Sequence, residues 1–377
     1  MHKKIKVVFI INNFLVGGVE RLLFDIISFF DRDKYDITII TVLGTGPLES
    51  SFRKLGISIY FAGVSGPFFK MVPKKFFWLL TSFFTLIRIT FFLIKSKPDM
   101  VVSSLFQADI LGMFAAKIVG VKKRILIQHD TVKFRELIRF VKIIFALNFS
   151  TQIVSISETV KDFLVDYFEV KSEKITIIYN GINYNHFEKG KKLTPDLDSP
   201  VIGVVGRLED VKGHIYLLEA LKIIKEKYNL SPSVLLAGDG SLRTELEKYT
   251  ITNHIDSVKF FGNVSYIPNF LSQIDILVVP SISEGFGLVI LEGMVSGKIM
   301  ITSDIKVMQE LIKDKENGLL FKSQNSESLA EILLIVLKDK ELCEKLQKNA
   351  ILFSEQNKAI FDIYKVSKTY QNLLISK

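Results

Sequence analysis

The feature that most constrains this chain is an alternation that runs along it twice. Short apolar, β-branched runs at residues 6–11, 36–43, 100–103, 124–128 and 151–155 are separated by longer stretches of helical period. Such runs read as strands buried on both faces, and strands separated by helices pair in parallel, which is the pattern of a doubly wound sheet. A polar stretch at 185–199 follows, with His186, Glu188, several lysines and little apolar content. The alternation then restarts at 201–205, 233–237, 257–261, 276–279 and 298–302. The expected fold class is α/β, with two Rossmann-like domains at 1–184 and 200–355 and a linker at 185–199. A length of 377 residues suits two cores rather than one, and 48% apolar with 24% charged residues excludes general disorder. A last helix-like stretch, about 356–377, has no strand after it and must pack on something already built. Ligands of open α/β sheets bind at the carboxyl ends of strands, so the sites are expected just after these runs, in a cleft between the domains.

The strongest such signal is Pro280-Ser-Ile-Ser-Glu284-Gly285-Phe286-Gly287-Leu288-Val-Ile-Leu-Glu292, where an apolar strand ends in a glycine-containing turn and a helix begins. If both glutamates were helical, their eight-residue spacing would set them about 12 Å apart on one face. They would then hold two ends of an elongated ligand. The backbone N–H groups at Gly287 and Leu288 open the helix, and its positive end suits a phosphate. Two isolated glutamates would read as a cap and a solvated side chain. The Gly-Phe-Gly turn between them favours contacts to sugar, diphosphate and ribose instead.

A second signal, Gly206-Arg207-Leu-Glu-Asp-Val-Lys212-Gly213, also follows a strand. A planar guanidinium and a flexible ammonium together can neutralise a departing diphosphate, although two solvated loop cations would look the same. Gly17 and Gly18 stand between the first strand and first helix, where backbone can approach a ligand closely. His129 follows the run at 124–128 and would sit at a strand end, although a lone histidine is more often structural.

The chain carries a net charge of +9, with a pI near 9.2, which points to an anionic partner. Its basic residues are mostly scattered lysines without arginine clusters and aromatic stripes, so nucleic acid is not expected. The single cysteine, Cys343, excludes an intramolecular disulfide and a cysteine-based zinc site, and fits a reducing cytosol. Neither Asp-x-Asp triplet, Asp31-Arg-Asp33 or Asp196-Leu-Asp198, follows a strand as a metal-diphosphate site should, so no metal and no cofactor is expected. A P-loop, a Gly-x-Ser-x-Gly elbow and a His-Glu-x-x-His motif are all missing from the sequence.

Taken together, these motifs resemble glycosyltransferase family 4, retaining enzymes of GT-B architecture, over nearly the whole chain. The resemblance implies that Glu284 contacts hydroxyls of a donor sugar and Glu292 the ribose, while Arg207 and Lys212 bind the diphosphate beside Gly206. It further implies that Gly17 and Gly18 approach the donor from the N-terminal domain and that His129 meets the sugar near the reacting carbon. Gly285, Phe286, Gly287 and Leu288 would surround the diphosphate, and Gly262, Asn263 and Val264 would line the base pocket. The C-terminal helix would cross back to the N-terminal domain. The implied reaction moves a sugar from a UDP- or GDP-activated donor to a lipid-linked or polysaccharide acceptor. It proceeds by front-face attack, in which the leaving phosphate takes the acceptor's proton. Two departures matter: Ser104-Leu-Phe stands where many relatives place a histidine, and Ser303-Asp304-Ile305 where a glycine pair is usual. A nucleotide-sugar 2-epimerase of the same fold and a non-enzymatic binder are the competing readings.

Residues 76–94, from Phe76 to Ile94, carry Arg88 as their only charge and are flanked by Lys74, Lys75, Lys95 and Lys97. Length alone admits a transmembrane helix. Thr81, Thr85 and Arg88 form a polar stripe, however, and a span would pull the sheet apart, so a crossover helix is expected. Its aromatic face and basic flanks would dip into a membrane interface, placing the enzyme in the cytoplasm at the inner face of the cell membrane. A buried face or a subunit contact are the alternatives.

Overall fold

The computed structural model describes residues 3–15, 17–64, 74–188 and 199–375. They divide into two compact units, Met1–Asn180 with Ile363–Lys377, and Gly181–Asp362. The first is built on β1 (Ile5–Ile11), β2 (Tyr35–Thr41), β3 (Ser58–Phe61), β4 (Met100–Ser104), β5 (Lys123–Gln128), β6 (Gln152–Ser155) and β7 (Ile175–Ile177). These seven strands pair in parallel in the order β3-β2-β1-β4-β5-β6-β7. Ile10, Val101, Leu126 and Ile153 of its central strands are fully buried, as continuous apolar runs require when helices cover both faces.

The second unit carries β8 (Ile202–Val205), β9 (Val234–Ala237), β10 (Val258–Gly262), β11 (Ile276–Val279), β12 (Ile299–Ser303) and β13 (Leu319–Phe321). Its six parallel strands are ordered β10-β9-β8-β11-β12-β13. The sequence pattern does not reveal β3, β7 or β13. Each closes one side of a sheet and spans only three or four residues. An edge strand pairs on one side alone, so its apolar signal is short and weak.

Of the linker expected at 185–199, residues 189–198 lie outside the described residues, and so does the Asp196-Leu-Asp198 triplet. The residues before them form the helix Tyr184–Glu188, whose Tyr184 and Phe187 are buried in the second unit. The Tyr184 hydroxyl donates to the Ser354 carbonyl at 2.8 Å. The last helix, Ile363–Ile375, packs on the first unit. Ser367 Oγ donates to the Ile26 carbonyl at 2.8 Å, and the Tyr35 hydroxyl to the Gln371 carbonyl at 3.1 Å.

The apolar helix is Lys74–Ser96, between β3 and β4, and it packs on the helix Phe106–Val119. The Phe76 side chain lies outside the described residues. By length and composition Leu79–Ser96 could cross a membrane, with a mean hydropathy of 1.5. Its polar stripe turns inward rather than to solvent. Thr85 is buried beside Ile89 and Leu93, and Arg88 donates to the carbonyls of Phe61 and Gly63 at 2.9 Å each. The outward face is apolar: Leu79, Phe83, Ile87, Phe91 and Ile94 are all exposed, Phe91 by 66%.

Candidate active site

Strand order, rather than sequence distance, brings the second unit's charged residues together. β8 and β11 are neighbours although β9 and β10 lie between them along the chain, so the loops leaving their carboxyl ends are adjacent. Gly213 lets them close. It has φ +64, and a Cβ there would lie 2.1 Å from the Pro280 carbonyl oxygen. Lys212 Nζ thereby donates to Glu284 Oε1 at 2.5 Å, with the two side chains 23% and 13% exposed. Ser281 Oγ donates to the same carboxylate oxygen at 2.9 Å. The Ser281 carbonyl in turn accepts from Ser303 Oγ, at the end of β12, at 2.6 Å. The two residues assigned from sequence to different parts of a ligand hold each other in this structure.

Glu284 does not share a helix with Glu292. Gly287, at φ +82, precedes the helix Leu288–Val295, so Glu284 lies in the turn before it and the helical spacing of about 12 Å does not apply. Glu292 is half-buried on the second turn of that helix. Phe286 is buried, with its ring 5.9 Å from that of Phe361. Gly285 and Leu288 are half-buried and Gly287 is buried.

Arg207 is exposed on the loop after β8. That loop is tied to the next two strand ends. Gly206 N–H donates to the Ala237 carbonyl at 2.9 Å, and Gly238 N–H to the Gly262 carbonyl at 2.8 Å. Asn263 is exposed and Val264 half-buried just beyond. Because all these strands run parallel, Gly206, Arg207, Lys212, Gly262, Asn263, Val264 and Glu284 crowd one edge of the sheet. His214, the first residue of the helix His214–Tyr228, is buried with both ring nitrogens lacking a hydrogen-bond partner. Burial, then the Lys212 charge, lowers its pKa to about 4.

In the first unit Gly17 precedes the helix Gly18–Ser28, and its carbonyl accepts the Arg21 N–H at 3.1 Å. A Cβ on Gly18 would meet nothing within 4 Å, so the backbone there is open to approach. His129 directly follows β5. Its Nε2 lies 3.3 Å from Ser104 Oγ at the end of β4, and its Nδ1 is enclosed without a hydrogen-bond partner. Burial, then the Lys142 charge, depresses the ring's pKa to about 4. At neutral pH the imidazole is therefore uncharged and offers one donor and one acceptor. Leu105, which joins β4 to the next helix, is held at φ +78, a strained value for a side-chain-bearing residue. The sequence reading missed the residues behind His129, namely Lys142, Asp109 and Gln128. A lysine in a helical stretch gives no sign that it points inward.

Residues 16–186 match the family model described as Glycosyltransferase Family 4, and residues 185–353 the one described as Glycosyl transferases group 1. The chain is 28% identical over 359 residues, 90% of each protein, to the UDP-Gal:alpha-D-GlcNAc-diphosphoundecaprenol alpha-1,3-galactosyltransferase of Escherichia coli. It is 28% identical over 297 residues to the N,N'-diacetylbacillosaminyl-diphospho-undecaprenol alpha-1,3-N-acetylgalactosaminyltransferase of Campylobacter jejuni, spanning 73% of this chain and 76% of that one. Its fold is similar to that of Anabaena HepE, solved in complex with UDP and glucose. The TM-score is 0.83 at 21% identity, over 99% of this chain and 100% of that one.

Proposed function

Because the chain belongs to glycosyltransferase family 4 and is a glycosyltransferase of the GT-B type, we propose that it is a retaining, metal-independent enzyme that moves a sugar from a UDP- or GDP-activated donor to a lipid-linked acceptor. The observation that carries the donor half is the Lys212–Glu284 contact, made in the turn before a helix and on the same sheet edge as Arg207. In this reading a donor's diphosphate takes over Lys212 and Arg207, which frees the Glu284 carboxylate to accept hydrogen bonds from sugar hydroxyls. The pair is only partly buried, its side chains 23% and 13% exposed, so an incoming anion can reach it and replace one ionic partner by another. The cations then stabilise the charge that grows on the departing diphosphate. Metal independence is part of the proposal because neither Asp-x-Asp triplet of the sequence follows a strand.

A UDP-activated donor is supported by the Escherichia coli relative, a UDP-Gal-dependent enzyme, and a polyprenyl diphosphate acceptor by both bacterial relatives. The outward apolar face of Lys74–Ser96 fits such an acceptor, since Phe83, Ile87, Phe91 and Ile94 can rest in a membrane interface without unpicking the sheet. This would place the enzyme at the inner face of the cell membrane. The test is a panel of UDP- and GDP-sugars incubated with an undecaprenyl-diphosphate-linked sugar, with and without EDTA. The expected product keeps the donor's anomeric configuration and forms equally with chelator present. An inverted product, dependence on added metal, or interconversion of nucleotide sugars without acceptor would each overturn the part of the proposal it addresses.

A further inference from the structure

Lys142 is 2% exposed, and a buried ammonium is seldom kept for stability, because an apolar side chain of similar size avoids the cost of removing a charge from water. Its surroundings are specific. Nζ donates to Gln128 Oε1 at 2.8 Å and stands 4.0 Å from Asp109 Oδ2. It also lies 5.5, 5.6 and 5.8 Å from the ring centres of Phe168, Phe134 and Phe106. Gln128 is the last residue of β5, and its amide donates to the Asp130 carbonyl at 2.8 Å and carboxylate at 2.9 Å. The residues on both sides of His129 are thus tied to one lysine. Asp109 accepts from Ser103 Oγ at 2.7 Å, and the adjoining Ser104 is the residue that meets His129 Nε2. The backbone departs from regular geometry around this cluster. Lys142 closes the helix Glu136–Lys142 and precedes a π turn, Ile143–Leu147, a device that redirects side chains and recurs at functional sites.

We propose that Lys142 is a positioning residue: its enclosed ammonium clamps the end of β5 through Gln128 and keeps a fixed positive charge beside the adjoining His129 ring. The charged groups that line the same small cavity as His129 are Lys142 from its helix, Asp109 from the helix Phe106–Val119, and Asp130 from the same loop. Arg139 is turned away, donating to the Tyr167 carbonyl at 2.8 Å and to Glu169 at 2.9 Å. Burial raises the Asp109 pKa to about 7, so acidification protonates that carboxyl first and leaves the Lys142 charge less compensated. The histidine therefore stays a neutral hydrogen-bonding group. An imidazolium there would oppose positive charge developing on the sugar carbon, a consequence that rests on the reading of His129 as a sugar contact.

The test follows the His129 titration by NMR in the full-length, histidine-labelled protein, assigned with His129→Gln, together with kcat/KM for transfer against pH. Lys142→Met is expected to raise the His129 pKa by about one unit or more and to move the acid limb of the profile upward equally. Lys142→Arg, which keeps the charge, is expected to leave both where they were. Lys142→Gln, which removes the charge but keeps a donor for Gln128, is expected to shift both upward as well, so it decides the matter if Lys142→Met does not fold. An unmoved titration in Lys142→Met or Lys142→Gln, a shift of equal size in Lys142→Arg, or lost transfer with an unchanged acid limb overturns the proposal. Failure of the sugar-contact reading is distinguishable: His129→Gln would then retain full transfer while the NMR shift in Lys142→Met persists.

Discussion

Lys212 and Glu284 in the second unit pair on loops, with side chains 23% and 13% exposed, whereas Lys142 in the first unit is 3% exposed at its side chain and enclosed by three phenylalanine rings. Water still reaches the partly buried Lys212–Glu284 pair, so its partners can change when a new anion arrives. A buried charge has no water to fall back on and must keep the partners it has. In the functional reading given above, charges that must hand over to an incoming diphosphate stand on open loops, while a charge that conditions a histidine is locked under strand ends. Strand ends thus carry an exchangeable site in one unit, and in the other a preorganised one that Lys142 supports from the end of a helix.

The sharpest way to break this contrast is Glu284→Ala, expected to lower transfer by about 10²–10³-fold while the melting temperature stays within error. Because Glu284 is only 13% exposed yet pairs from a loop, a large loss of stability would show the pair to be structural instead. Next in size is Gly213→Ala. A Cβ placed 2.1 Å from the Pro280 carbonyl, at φ +64, is expected to cost about 2–4 kcal/mol by denaturant unfolding, and to weaken donor binding by separating the two loops. Unchanged stability would mean that the loops are not held against each other there.

Acidification distinguishes the two units themselves. His214 in the second unit refuses a proton until about pH 4, while the unfolded chain accepts one near 6.5. Its contribution is intact above 6.5 and falls between 6.5 and about 4, by on the order of 2–3 kcal/mol. The first unit holds His129, which behaves alike, but also Asp25 and Asp109, whose pKa values burial raises to about 6 and about 7. These carboxyls bind protons more readily folded than unfolded, so their contribution grows as the pH falls through 7 toward 4 and offsets the histidine. Hydrogen exchange at pH 5 is therefore expected to show protection falling more in β8 and β11 than in β4 and β5. Equal loss in the two sheets would remove the electrostatic contrast. The smallest effect is expected from Phe83→Ser with Phe91→Ser: a several-fold drop in binding to vesicles containing anionic lipid, with hydrolysis of a soluble donor unchanged. Undiminished vesicle binding would sink the interfacial role of Lys74–Ser96.

Ten of the strands were legible in the sequence, most because they carry an apolar, β-branched run, such as Ile276–Val279, that burial on both faces demands, and β10 although it is an edge strand interrupted by the exposed Lys259. β7 and β13, three residues each, were not, since an edge strand needs little apolar length. Glu284, Arg207 and Lys212 stood out because glycine-rich turns after strands are visible in one dimension. The contact between Lys212 and Glu284 was not visible, as 72 residues separate them. Lys142 gave no signal at all. In a helical stretch it looks like a solvated side chain, and only the π turn after it and the three surrounding phenylalanines explain its burial.

By itself, then, the sequence determined that there are two parallel-sheet units and which strand ends carry charged and glycine-rich loops, because hydrophobic period and turn chemistry are local properties of the chain. Only the tertiary structure decided which loops meet and which charges are buried. The neighbour relation of β8 and β11 pairs Lys212 with Glu284, and the strand ends of β4 and β5 with the π turn place Lys142 behind His129. Both depend on strand order and packing, which join residues that the chain itself keeps far apart.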